Sequence, residues 1–65
     1  MDRQQAIQAL NEGKTLTHKY FASDEWVRGI YAGMYLFEDG IKCSATEFWR
    51  WRQDSGFDSG WSEKL

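Results

Sequence analysis

Cys43 is the only cysteine in a chain of 65 residues, and that removes the commonest staple of a very small protein. Below roughly 70–80 residues a hydrophobic core alone is marginal, and disulfides, a metal or a partner subunit usually supplement it. One cysteine cannot close an intrachain bridge. Cys43 with the lone His18 also falls short of the four-ligand cysteine and histidine set of a structural zinc site. Two stabilisers remain. One is a core built from large side chains, and a 17% aromatic share supplies the material for it. The other is self-association, so a homo-oligomer is expected.

The local signals define one domain over residues 1–65. Asp2 can cap a first helix, with Gln5 three residues on completing a capping box. Ala6, Ile7 and Leu10 share one face of it, and Gly13 ends it. TLTHKYF (15–21) alternates, with Leu16, His18 and Tyr20 on one side and Thr15, Thr17, Lys19 and Phe21 on the other, which predicts a strand. ASDE interrupts, and WVRGIY (26–31) reads as a second strand with a bulge at Gly29. Ala32 and Gly33 then loosen the chain. MYLF and IKC flank Glu38-Asp39-Gly40, and Asp-Gly is a strong hairpin turn signal. Ser44 to Glu47 forms a second capping box that opens a helix running to about Gln53. DSG at 54–56 and again at 58–60 reads as turns, and Trp61 starts a short last strand. The expected fold is a small α+β domain in the order α-β-β-β-α-β. Its antiparallel sheet is packed by the N-terminal helix and a second short helix.

Charge narrows the partners. The formal net charge is -2, which gives no general footing for duplex nucleic acid. Residues 1–23 carry Arg3, Lys14 and Lys19 against Asp2 and Glu12, a surplus of +1. Residues 24–40 carry Arg28 against Asp24, Glu25, Glu38 and Asp39, a deficit of -3. Only a local patch can therefore bind an anion. No run of about 18 apolar residues occurs, so no membrane span is expected. MDRQQAIQAL lacks the blocks of a signal peptide, and a free cysteine suits a reducing compartment, so a cytoplasmic location is expected.

Catalytic and cofactor signatures are missing. No recognisable nucleophile motif surrounds Cys43, and His18 has no local link to it, so no catalytic residue is assigned. The acids of 38–39 and of 54 and 58 lack the alternate spacing of a calcium loop and read as turn residues. Neither glycine-rich phosphate loop occurs, so no metal and no cofactor is expected. A nucleotide would have to be held by aromatic faces, arginines and backbone amides.

FWRWR at 48–52 concentrates those groups. On a helix, Phe48 at zero puts Ala45 near +60°, Trp51 near -60°, Trp49 near +100° and Arg50 near 200°. Phe48 then marks the buried centre, the two tryptophans flank it, and Arg50 faces solvent. Arg52, near +40° by the same count, falls inside the apolar arc. It must snorkel past a tryptophan or pair with an acid. Both tryptophans serve as core edge, or one lines a pocket beside an arginine. A strand would instead put Trp49 and Trp51 on one face, which the Ser44–Glu47 box disfavours.

Three pieces of the chain carry a resemblance. The first helix reads AIQALNEGK, the hairpin GMYLF and the end DSGW. With Trp26, they match at Ala6, Leu10, Gly13, Lys14, Gly33, Met34, Tyr35, Leu36 and Trp61. In these the chain resembles the Thoeris anti-defence sponges of phages. That resemblance implies a small oligomeric α+β protein in the cytoplasm of an infected host. It would sequester a cyclic-nucleotide immune signal without cleaving it. The resemblance assigns no ligand residue. The expected ones come from chemistry: Trp26, Trp51 and Tyr20 to stack on bases, and Lys14, Arg28 and Arg50 to meet phosphates, in pockets near subunit contacts. The alternative partner is a host defence protein, inhibited by docking of a Trp/Arg or acidic surface.

Overall fold

The computed structural model of the protein describes residues 1–31 and 33–64. The expected loosening at Ala32 lies outside them. Helix α1 spans Arg3–Asn11, and its start follows the expected logic. The Asp2 carboxylate accepts from the Gln5 amide at 2.8 Å, and the Gln5 side chain accepts from the Asp2 amide at 2.9 Å. Such a cap is worth about 1 kcal/mol. At the far end Gly13 takes φ +85°, its amide bonds the Leu10 carbonyl, and the Lys14 amide bonds the Ala9 carbonyl. These two bonds satisfy carbonyls that the helix leaves open.

Five strands follow: β1 (Thr15–His18), β2 (Val27–Tyr31), β3 (Met34–Phe37), β4 (Lys42–Ser44) and, near the chain's end, β5 (Trp61–Glu63). They form one antiparallel sheet in the order β4-β3-β2-β1-β5. Between β4 and β5 lie α2 (Ala45–Arg50) and a 3-10 turn at Ser55–Phe57. The α+β class is as expected. The order α-β-β-β-α-β gains one strand, because the second limb of the hairpin pairs fully with β3. The four residues 38–41 between them make the turn, with Gly40 at φ +86°, a conformation that favours glycine.

Both helices lie on one face of the sheet. Leu16, Val27, Tyr35 and Trp61 point into the core from the strands, Ala6, Ala9 and Leu10 come from α1, and Phe48 from α2. Gly29 sits beneath α1, where a Cβ would stand 1.7 Å from the Leu10 carbonyl oxygen. The register of β2 and β3 shifts between Gly29 and Tyr31, which is the expected bulge.

Two sequence expectations fail at the end of β1. The strand stops at His18, where the Phe21 amide bonds the His18 carbonyl in a turn. Tyr20 therefore does not join Leu16 and His18 inside but is 62% exposed, while Phe21 packs against the core. His18 ends the strand because both its ring nitrogens are used there. Nδ1 accepts from the Tyr20 amide at 3.1 Å, and Nε2 lies 2.7 Å from the Ser59 carbonyl.

Candidate functional site

Helix α2 is a ridge with a groove on each flank, and the five residues FWRWR supply a wall to both. The Ser44 hydroxyl caps it by accepting from the Glu47 amide at 3.1 Å, but the expected capping box is only half made, since no bond from the Ser44 amide to the Glu47 side chain forms among the described residues. Phe48 is buried and Arg50 is exposed, as the helical count requires. The helix ends at Arg50 and not near Gln53. Arg52 explains that end. Its amide bonds the Trp49 carbonyl, one residue short of helical pairing, while its Nη1 donates to the Phe48 carbonyl at 3.2 Å. An arginine that reaches back to the last carbonyls closes a helix.

The same guanidinium lies 4.0 Å from the centroid of the Phe48 ring. The charge inside the apolar arc thus stacks on Phe48 and caps its carbonyl, forms no ion pair among the described residues, and leaves its buried Nε without a hydrogen-bond partner. Burial lowers the pKa of Arg52 from its ordinary value, opposed by the nearby Cys43 and Glu25. Burial likewise raises the Cys43 thiol, opposed by the charge of Arg52. A protonated, half-buried thiol has little nucleophilic character.

The first groove, about 570 Å³, lies between the start of α1 and α2 and is lined by Arg3, Thr46, Trp49, Arg50, Gln53 and Asp58. Trp49 is held rigidly. Its Nε1 donates to the Tyr35 hydroxyl at 2.9 Å, and its ring meets Phe48 and Trp61 edge to face at 4.9 and 5.3 Å. The Tyr35 hydroxyl is raised from its ordinary pKa by burial, against the opposing bond from Trp49. The Arg3 guanidinium carbon lies 5.3 Å from the Trp49 centroid. Asp58 holds it there through a 3.0 Å ion pair, and the Asp54 carbonyl adds a bond at 3.3 Å. Arg50 forms no ion pair among the described residues. The groove thus combines an aromatic wall, a planar guanidinium on it, an unneutralised arginine, and the hydroxyl and amide of Thr46 and Gln53. These are the groups that receive a planar base and a phosphate.

The residues expected from the sequence to bind ligand do not converge. Arg50 lines this groove, whereas Trp51, 76% exposed, lines the second groove on the opposite flank of α2. Trp26 and Arg28 do meet, with the guanidinium carbon 4.7 Å from the indole centroid, but on the sheet face that carries no helix. Arg28 is fixed there by a 2.8 Å bond to Thr15 Oγ1. Lys14 follows the end of α1 and lies 3.7 Å from Glu12. Tyr20 packs edge to face on Phe57. Arg3 and Trp49 were not among the expected ligand residues. Trp49 reads equally as core edge from its helical angle, and it is half-buried and serves as both. Arg3 gives no local signal, since its place beside Trp49 depends on a contact across most of the chain.

The fold and groove define a small two-layer α+β domain with a polar, arginine-bearing cleft. No protein-family model, curated protein or solved structure matches the chain. Among the described residues no helix is long and apolar enough to cross a membrane, and no group of three or more His, Cys, Asp or Glu side chains is placed to hold a metal ion.

Proposed function

We propose that this is a non-enzymatic binding protein that captures a nucleotide-like, phosphate-bearing signal in the groove between α1 and α2. In the setting implied by the phage resemblance, it would act in the host cytoplasm as a homo-oligomeric counter-defence sponge. The observation that carries the reading is the arrangement of Arg3, Trp49 and Arg50. The rigid indole offers a stacking wall, and Arg3 lies on it as a second planar surface. Arg50 contributes the one positive charge in the groove that Asp58 does not neutralise. The groove thereby carries a net positive charge in an acidic protein, so an anion is attracted there against the overall field.

Calorimetric titration with a panel of cyclic nucleotides tests the proposal. Heat of binding is expected with at least one of them. Arg50→Ala should weaken that affinity about tenfold or more, the size of a lost hydrogen bond to a charged group. A folded protein that gives no heat with any member overturns the reading.

A second reading has its own observation. The acidic stretches 24–25 and 38–39 are brought together at one end of the sheet. Val27 pairs with Phe37, and the Trp26 amide donates to Glu38 Oε1 at 3.1 Å. An acidic end of this kind suits a basic surface of a host defence protein. Capture of one stoichiometric host protein, lost on reversal of Glu38 and Asp39, would favour it over the small ligand.

A further inference from the structure

The helices cover one face of the sheet, and a line of positive charge crosses the other. Leu36 pairs with Lys42 on one side and Arg28 on the other, Arg28 pairs with Thr15, and the Lys64 amide bonds the Thr15 carbonyl at 2.9 Å. Residues paired across a ladder share a face. Their chain neighbours Cys43, Tyr35, Val27 and Leu16 pack in the core under the helices, so this row is turned away from them. Lys42, Arg28 and Lys64 thus stand in one line across the sheet, about 10 Å apart at two strand spacings each. None of the three forms an ion pair among the described residues. Lys42 and Arg28 are exposed, and the Lys64 ammonium donates to the Ser23 carbonyl at 3.1 Å.

The central strand, β2, places an aromatic on each side of that line. On one side is Trp26, with the Arg28 guanidinium carbon 4.7 Å from its centroid and Arg28 pinned by the 2.8 Å bond to Thr15. On the other side the register shift pairs Tyr31, in place of Ile30, with Met34. Met34 precedes the buried Tyr35 and so faces away from the helices. The bulge therefore re-aims Tyr31, 62% exposed, onto the open face. Glu38 stands beside Trp26, and its Oε1 accepts from the Trp26 amide. It marks the start of the acidic end and confines a polyanion to the line of cations.

We infer that the helix-free face binds single-stranded nucleic acid, with phosphates along Lys42, Arg28 and Lys64 and bases on Trp26 and Tyr31. Charge complementarity calls for a polyanion. A nucleic-acid strand carries a phosphate at every nucleotide and so meets a fixed line of cations in any register, whereas an acidic protein must place carboxylates at the same three points. The aromatics on both sides of the line add surfaces on which unstacked bases lie, and the guanidinium on Trp26 extends one of them. A duplex keeps its bases stacked, and reading its groove takes a protruding helix or ribbon, which a sheet face lacks. An anionic membrane is met by protruding apolar side chains, whereas Met34 and Leu36 on this face are half-buried. At physiological salt charges more than about 8 Å away are largely screened, so the line acts locally in a chain of net charge -2. The site goes beyond the ligand proposal and lies on the opposite layer of the fold, so the two are tested separately.

The test is fluorescence anisotropy with labelled oligothymidine and oligouridine strands of about 12 nucleotides, and circular dichroism to show that each variant is folded. At least one strand should bind at about 50 mM salt. Three phosphate contacts on a single strand give a salt slope near -2, so affinity should fall about twentyfold between about 50 and 200 mM. Lys42→Ala should reduce that fall to about sevenfold. Trp26→Ala and Tyr31→Ala should each weaken binding about tenfold and leave the slope unchanged. Trp51→Ala, on the helix side, should change neither. Failure of folded wild type to bind either strand overturns the inference. Binding indifferent to both Trp26→Ala and Tyr31→Ala overturns it as well. So does equal displacement by polyglutamate, which has charge without bases and would assign the face to an acidic protein.

Discussion

Gly29 of β2 lies directly against Leu10 of α1: a Cβ on the glycine would stand 1.7 Å from the Leu10 carbonyl oxygen and 2.6 Å from its carbonyl carbon. Backbone thus meets backbone at the helix–sheet contact. No side chain can swing aside to make room. Gly29→Ala must push α1 off the sheet, and overpacking of this kind costs about 1–3 kcal/mol or more. Urea denaturation should show the midpoint falling accordingly. An unchanged midpoint would mean that the helix sits further from the sheet.

The Trp49–Tyr35 bond links the candidate site to the core. Tyr35→Phe removes the acceptor and leaves a half-buried indole N–H without a partner. Stability should fall by about 1–3 kcal/mol, the cost of an unsatisfied buried donor. The orientation of Trp49 should loosen with it, so affinity at the groove should drop although Tyr35 does not line it.

His18 is 3% exposed and lies within 6.0 Å, centroid to centroid, of Tyr20, Phe21, Phe57 and Trp61. With Nδ1 accepting from the Tyr20 amide, Nε2 is left to donate to the Ser59 carbonyl, which is the Nε2–H tautomer. Nitrogen chemical shifts of the ring should report that tautomer. His18→Ala leaves a cavity and two orphaned backbone groups, and should destabilise by about 2–4 kcal/mol.

Stability should decline at alkaline pH. Burial raises both the Tyr35 hydroxyl and the Cys43 thiol, so each holds its proton more tightly folded than unfolded. Such a group contributes stability that is full below its unfolded pKa and lost as pH rises through its folded one. Urea midpoints should therefore fall from neutral pH to above the ordinary phenol range, and Cys43→Ala should remove part of the fall. A flat profile would contradict the burial of both groups.

What the sequence disclosed was mostly local. The Asp2–Gln5 box, the Ser44 cap on Glu47 and the turn at Asp39-Gly40 each act through bonds spanning two to four residues, and each sits where its chemistry placed it, although the Ser44 box closes on one side only. The burial of Phe48 and exposure of Arg50 followed from helical angle alone. Alternation failed at Tyr20 because His18 bonds the next turn, a contact with Ser59 that no window around residue 18 contains. The end of α2 was missed for a similar reason: Arg52 acts through its side chain, not its propensity. The groove was only half legible. Arg50 could be seen as a solvent-facing cation, but its neighbours Arg3 and Asp58 come from opposite ends of the chain.

Under the proposed reading Trp49, and not another tryptophan, is the wall on which a ligand stacks. The chain has four tryptophans, so a nitrogen–proton correlation spectrum should hold four indole signals, assignable by single substitution. On addition of a cyclic nucleotide that gives heat in calorimetry, the Trp49 signal should move in saturable fashion while those of Trp26 and Trp51 stay in place. Movement at Trp26 or Trp51 with Trp49 unchanged would place the ligand elsewhere and rule out the groove between α1 and α2.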